Sequence, residues 1–100
     1  MAAETDVTTD ASPDRPARIN RARFRAWHRG TREADFMIGG FFDRHHDGWN
    51  EADLAWFEAL LDEDDVDVMA WALNVQTPPD RLEGAQMEAM RRLDYVHIHR

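Results

Sequence analysis

Arg29 and Glu33 carry opposite charges on either side of Gly30, within five residues of chain. A guanidinium offers a planar fork of donors to a carboxylate or phosphate, a glutamate pairs with a cation, and a glycine lets a foreign backbone come close. That is the chemistry of recognition. Catalysis is a poorer reading. No nucleophile–base pair, phosphate-binding glycine loop or metal box accompanies these residues, and Glu33 and Asp35 near a helix N-terminus should stay ionised instead of acting as acids. The same three residues also suit a plain helix–turn–helix joint, with Gly30 as cap, Glu33 facing a dipole and Arg29 solvated. Phe36 adds a candidate on the recognition side, and the residues alone leave both readings open. At roughly 100° per residue, Ala34, Met37, Ile38, Phe41 and Phe42 share one side of a helix and should be core. Phe36 lies on the other side, within about 60° of Glu33. An exposed phenylalanine beside a charged glutamate reads as an interface anchor, unless another helix covers it.

The elements that must hold this turn are helical throughout. Helix one is expected over about Ile19 to Arg29, with Ile19, Ala22 and Ala26 along one stripe and Phe24 and Trp27 beside it. Gly30 suits its C-terminal glycine, and Thr31 can cap a second helix that runs to about Arg44 before Asp47-Gly48. Asn50 and Asp53 form an acidic version of a capping box at the start of helix three, with Trp49 and Leu54 as its hydrophobic staple. Leu54, Trp56, Phe57, Leu60 and Leu61 fill the apolar stripe of that helix. Asp62 to Asp65 ends it and opens helix four, on which Val66, Met69, Ala70 and Leu73 have helical spacing. After Thr77-Pro78-Pro79, helix five is expected from about Asp80 to Val96, with Leu82, Ala85, Ala89, Leu93 and Val96 inward. The predicted fold is all-α: a small bundle of about five short helices over residues 19–100. Residues 1–18, rich in Thr, Asp, Ala and Pro, are expected to be a disordered acidic tail.

The surroundings of Arg29-Gly30-x-x-Glu33 make a short string specific. Phe41-Phe42-Asp43 follows in register, and so do Leu60-Leu61, Asp64-Asp65, Asp67, Trp71 and Asn74. Together these resemble the SdhE family, the FAD assembly factors of succinate dehydrogenase, over roughly Ala22 to Leu93. The resemblance implies an assembly factor that is not an enzyme. It would bind the flavoprotein subunit of succinate dehydrogenase, with fumarate reductase as a second candidate client, and promote covalent attachment of FAD to a histidine of that subunit. FAD would then be handled on the partner, with none bound stably here, and the free chain would be a monomer. The expected partner-binding residues are Arg29, Gly30, Glu33, Asp35 and Phe36. The competing reading is a small protein-binding regulator, such as an antitoxin-like module, using the same surface on another partner.

Charge and composition narrow the alternatives. The 100 residues carry a net charge of −8 and include no cysteine, which excludes disulfides and thiolate chemistry. Residues 19–33 hold five arginines against one acid, whereas residues 34–100 hold five against fifteen. A basic stripe on so acidic a body should repel a phosphate backbone, so nucleic acid is not the expected partner. No apolar run approaches the ~20 residues of a membrane span. Met1 to Asp14 has four acids and no basic residue, opposite in charge to a secretory or mitochondrial leader, and the expected compartment is the cytoplasm. His45-His46-Asp47 and His97-x-His99 are the metal-like clusters, but neither has the spacing to converge on one ion. The run Asp62 to Asp65 lacks the glycine and distal glutamate of a calcium loop and reads as capping.

Overall fold

The computed structural model describes residues 14–95. Among them lie five α-helices: α1 (Arg15–Trp27), α2 (Arg32–His45), α3 (Glu51–Leu61), α4 (Asp65–Ala72) and α5 (Ala85–Arg91). Short 3-10 turns occupy His46–Gly48 and Asp80–Leu82, and no described residue is in a strand. The all-α expectation holds. Local signals set several of the boundaries. The Asn50 side chain accepts from the Asp53 N–H at 2.8 Å while Asp53 accepts from the Asn50 N–H at 3.1 Å, so the capping box forms as expected. Thr31 caps α2 by accepting from Ala34 N–H at 3.2 Å.

The core sits where α2 crosses α1, α3 and the C-terminal segment. Ile38, Phe41, Phe42, Leu54, Phe57 and Leu60 are fully buried. Phe41, Phe42, Trp49 and Phe57 form one aromatic cluster, with Trp49 and Phe57 centroids 5.0 Å apart. Arg23 lays its guanidinium over the Phe42 ring at 5.4 Å, a cation–π contact that closes the cluster on one side. Arg18 joins α1 to α3 through Glu51 at 2.6 Å and Glu58 at 2.7 Å. These carboxylates raise the Arg18 pKa, first through the hydrogen bond to Glu58, so the cation persists at every pH the fold survives.

Four expectations about the elements need correction. Helix α1 begins at Arg15, so residues 15–18 belong to it and not to a tail. Pro16 is compatible with a first helical turn, and Arg15 is anchored by donating to the Trp49 carbonyl at 2.7 Å. The same helix ends at Trp27, two residues short of Arg29. On α4 the buried residues are Val68, Trp71 and Ala72, while Val66 and Leu73 lie exposed. Of the expected stripe, Met69 and Ala70 are half-buried, with Met69 packed against the core, and its two ends face out. The fifth helix is broken: Gly84 has φ +133°, and the segment from Asp80 is a 3-10 turn followed by a seven-residue helix. Met87, Ala89 and Met90 are buried there and Ala85 is exposed, whereas Val96 lies outside the described residues.

Candidate functional site

Helices α1 and α2 meet at a four-residue turn, His28 to Thr31, and this turn carries the charged motif. Gly30 has φ +116°, a conformation that costs other L-residues strain, and a Cβ built there would meet nothing within 4 Å. Its glycine is required by the backbone and not by crowding, and the space beside it is open. Asp35 closes the turn by accepting from the Arg29 backbone N–H at 2.6 Å. That bond ties the end of one helix to the first turn of the next.

Arg29 does not project into solvent. Its side chain is 10% exposed, and all its contacts lie at the α3–α4 junction. Nε pairs with Asp65 at 2.6 Å, and the two terminal nitrogens donate to the carbonyls of Leu61 and Glu63, each at 2.9 Å. The last carbonyls of a helix have no intrahelical partner and lie at its negative end. Leu61 ends α3 and Glu63 lies in the link to α4, so the guanidinium fork spans one helix-end carbonyl, one link carbonyl and the adjacent aspartate at once. Arg25 reinforces the junction, donating to Leu61 O at 3.1 Å and to Asp62 at 2.8 Å. The inward turn of Arg29 differs from the solvent-facing fork the motif led us to expect. Glu33 and Arg32, by contrast, are exposed and make no hydrogen bond or ion pair among the described residues.

Phe36 is 41% exposed, off the buried stripe of α2, while Ala34, Met37, Ile38, Phe41 and Phe42 are buried. Its ring meets Trp27 edge-on, with centroids 6.1 Å apart. Trp27 in turn lies flat over Gly39, and its indole N–H donates to Asp43 at 3.3 Å. A glycine inside a helix ordinarily costs about 1 kcal/mol relative to alanine. Here a Cβ at residue 39 would sit 2.3 Å from the Trp27 ring. Gly39→Ala should therefore destabilise the fold by about 1–3 kcal/mol through overpacking, the reverse of the usual helix-propensity gain. In a Trp27→Ala background the same change should stabilise it. Thermal melts of the two single variants and the double decide this, and a higher melting temperature for Gly39→Ala alone would show that the ring simply moves aside.

Trp27, His28, Gly30, Thr31, Arg32, Asp35 and Phe36 line a shallow depression of about 510 Å³. Of the expected binding residues, the structure brings Gly30, Asp35 and Phe36 to its wall. It leaves Glu33 exposed on α2 and directs Arg29 inward. Trp27, His28 and Arg32 line the depression too and were not among the binding residues expected from the sequence. The mid-helix glycine at 39 was the available signal for Trp27, because such a glycine often marks a bulky neighbour.

The described histidines, His28, His45 and His46, do not assemble a metal site. His45 packs against Phe41 and Tyr95, and burial lowers its pKa below the usual histidine value. His46 Nδ1 donates to the Phe42 carbonyl at 3.0 Å. Among the described residues no three His, Asp or Glu side chains are placed to hold an ion, and no helix is long and apolar enough to cross a membrane. His97 and His99 lie outside the described residues.

The fold and the site thus define a small all-α bundle whose distinctive feature is a charged turn beside an aromatic-floored depression. Residues 20–94 match the family described as flavinator of succinate dehydrogenase, and the chain belongs to that family. Among similar curated proteins, the FAD assembly factor SdhE of Acetobacter pasteurianus is 40% identical over 55 residues, 55% of this chain and 50% of that protein. The protein of the same name from Pectobacterium atrosepticum is 39% identical over 62 residues, 61% of this chain and 70% of that one. A mitochondrial succinate dehydrogenase assembly factor 2 from Meyerozyma guilliermondii is 30% identical over 77 residues, 74% of this chain and 57% of the relative. The match spans half the length of the Acetobacter protein and just over half that of the yeast one.

Proposed function

We propose that this chain binds the flavoprotein subunit of succinate dehydrogenase, in the cytoplasm and as a monomer when free, and promotes covalent attachment of FAD to a histidine of that subunit. The observation that supports this most is the overlap of the family match with the outward face of the α1–α2 turn, where Gly30 lies open and Glu33 and Phe36 are exposed. The bond-forming chemistry belongs to the flavin and its acceptor. Ordering the client's domains around bound FAD is a form of pre-organisation. FAD is accordingly placed on the client, with no stable complex on this chain, and fumarate reductase is a second client to test. Cells that lose this gene should keep the flavoprotein subunit but with little covalent flavin. Flavin fluorescence of the denatured subunit on a gel, set against its total amount by immunoblot, measures that ratio. An unchanged ratio would remove the assembly reading.

A further inference from the structure

The motif draws attention to Arg29, but the depression beside it is served by a different cation. Arg29 is enclosed at the α3–α4 junction. Asp35, the acidic residue of the lining, is held by the Arg29 backbone N–H, and His28 Nδ1 is bonded to the Phe24 carbonyl at 2.6 Å. Arg32 is exposed, lines the depression and has no partner among the described residues. Its neighbour Glu33 does not neutralise it, because adjacent residues on a helix face different directions. The floor next to Arg32 is apolar and well fixed: Phe36 stands edge-on to Trp27, which Gly39 and Asp43 hold in place.

We propose that Arg32, and not Arg29, is the cation that reads the client, and that the depression receives an apolar side chain of the client carried next to a carboxylate. This rests on the client reading above and specifies its chemistry. A guanidinium has five donors in a planar fork that matches a carboxylate's two oxygens, and Arg32 has that fork free. The aromatic floor offers the adjoining apolar residue a dry surface. Gly30, at the rim with open space around its Cα, leaves room for the client's main chain.

The test is a calorimetric titration of the purified chain with the apo flavoprotein subunit of succinate dehydrogenase from the same cell. Wild type, Arg32→Gln, Arg32→Glu and Arg29→Lys are compared. Arg32→Gln should weaken binding about tenfold and Arg32→Glu about a hundredfold or more, because reversal sets two like charges together. Neither change should lower the melting temperature, since Arg32 is exposed with no hydrogen bond or ion pair among the described residues and a glutamate in the first turn of α2 favours that helix. Reversal of one client carboxylate to arginine should restore much of the affinity lost by Arg32→Glu. If wild type binds and Arg32→Glu binds within about twofold of it, the assignment to Arg32 is overturned. If wild type itself does not bind, the client reading falls and this inference falls with it.

Discussion

Replacing Arg29 by methionine should lower the melting temperature by on the order of 15 °C. The side chain is 10% exposed and satisfies Asp65 and the carbonyls of Leu61 and Glu63 together. Removing one partner of an enclosed pair leaves the other charge and two carbonyls without donors, a loss of about 3 kcal/mol. For a domain this small each kcal/mol moves the midpoint by roughly 4–8 °C. Methionine keeps the apolar stem, so lost packing contributes little. Arg29→Lys should fall between the two, because an ammonium can still pair with Asp65 but cannot span both carbonyls. Thermal melts of the three proteins make the measurement. A melting point for Arg29→Met within about 3 °C of wild type, together with lost client binding, would instead make Arg29 a contact residue.

This result bears on how the motif works. Arg29 links the α1–α2 turn to the start of α4, so it sets where Gly30, Arg32 and Phe36 stand relative to the rest of the bundle. An arginine and a glutamate four residues apart look equivalent on paper. In the fold one is enclosed and the other exposed, and their substitutions should separate into effects on stability and effects on binding.

Local chemistry that closes within a few residues was legible before the fold was seen. The Asn50–Asp53 capping box, the Thr31 cap, the positive φ of Gly30 and the buried stripe of α2 all belong to that kind. Contacts set by distant chain were not legible. Helix α4 is apolar on nearly every side, so Val66 with Leu73 and Val68 with Ala72 are both stripes at helical spacing, and only packing against α2 and α5 decides which is buried. The first turn of α1 is polar, and its order comes from Arg15 and Arg18 reaching Trp49, Glu51 and Glu58 more than 30 residues away. The inward turn of Arg29 depends likewise on carbonyls at the end of α3 and in the link to α4. Gly84 was the exception, a local break visible in the sequence that the helical periodicity of its neighbours concealed.

Phe41→Ala should lower the melting temperature by about 12–40 °C, while Phe36→Ala should leave it nearly unchanged and weaken the hold on the client. Phe41 is completely buried and its ring touches those of Trp49, Trp56, Phe57 and Tyr95. Truncating such a residue costs about 3–5 kcal/mol in lost transfer energy and cavity. A chain of this length has a total stability of roughly 5–10 kcal/mol. Phe36 is 41% exposed, and its ring contact is a single edge-on approach to Trp27, so its removal should cost under about 1 kcal/mol of stability. As an aromatic anchor over the depression it should contribute about 2 kcal/mol or more to binding. A thermal melt and a pull-down of the flavoprotein subunit, run on both variants, separate the two roles. Equal stability loss in both variants would assign Phe36 to the core, and the proposed surface would then contract to Gly30, Arg32 and Glu33.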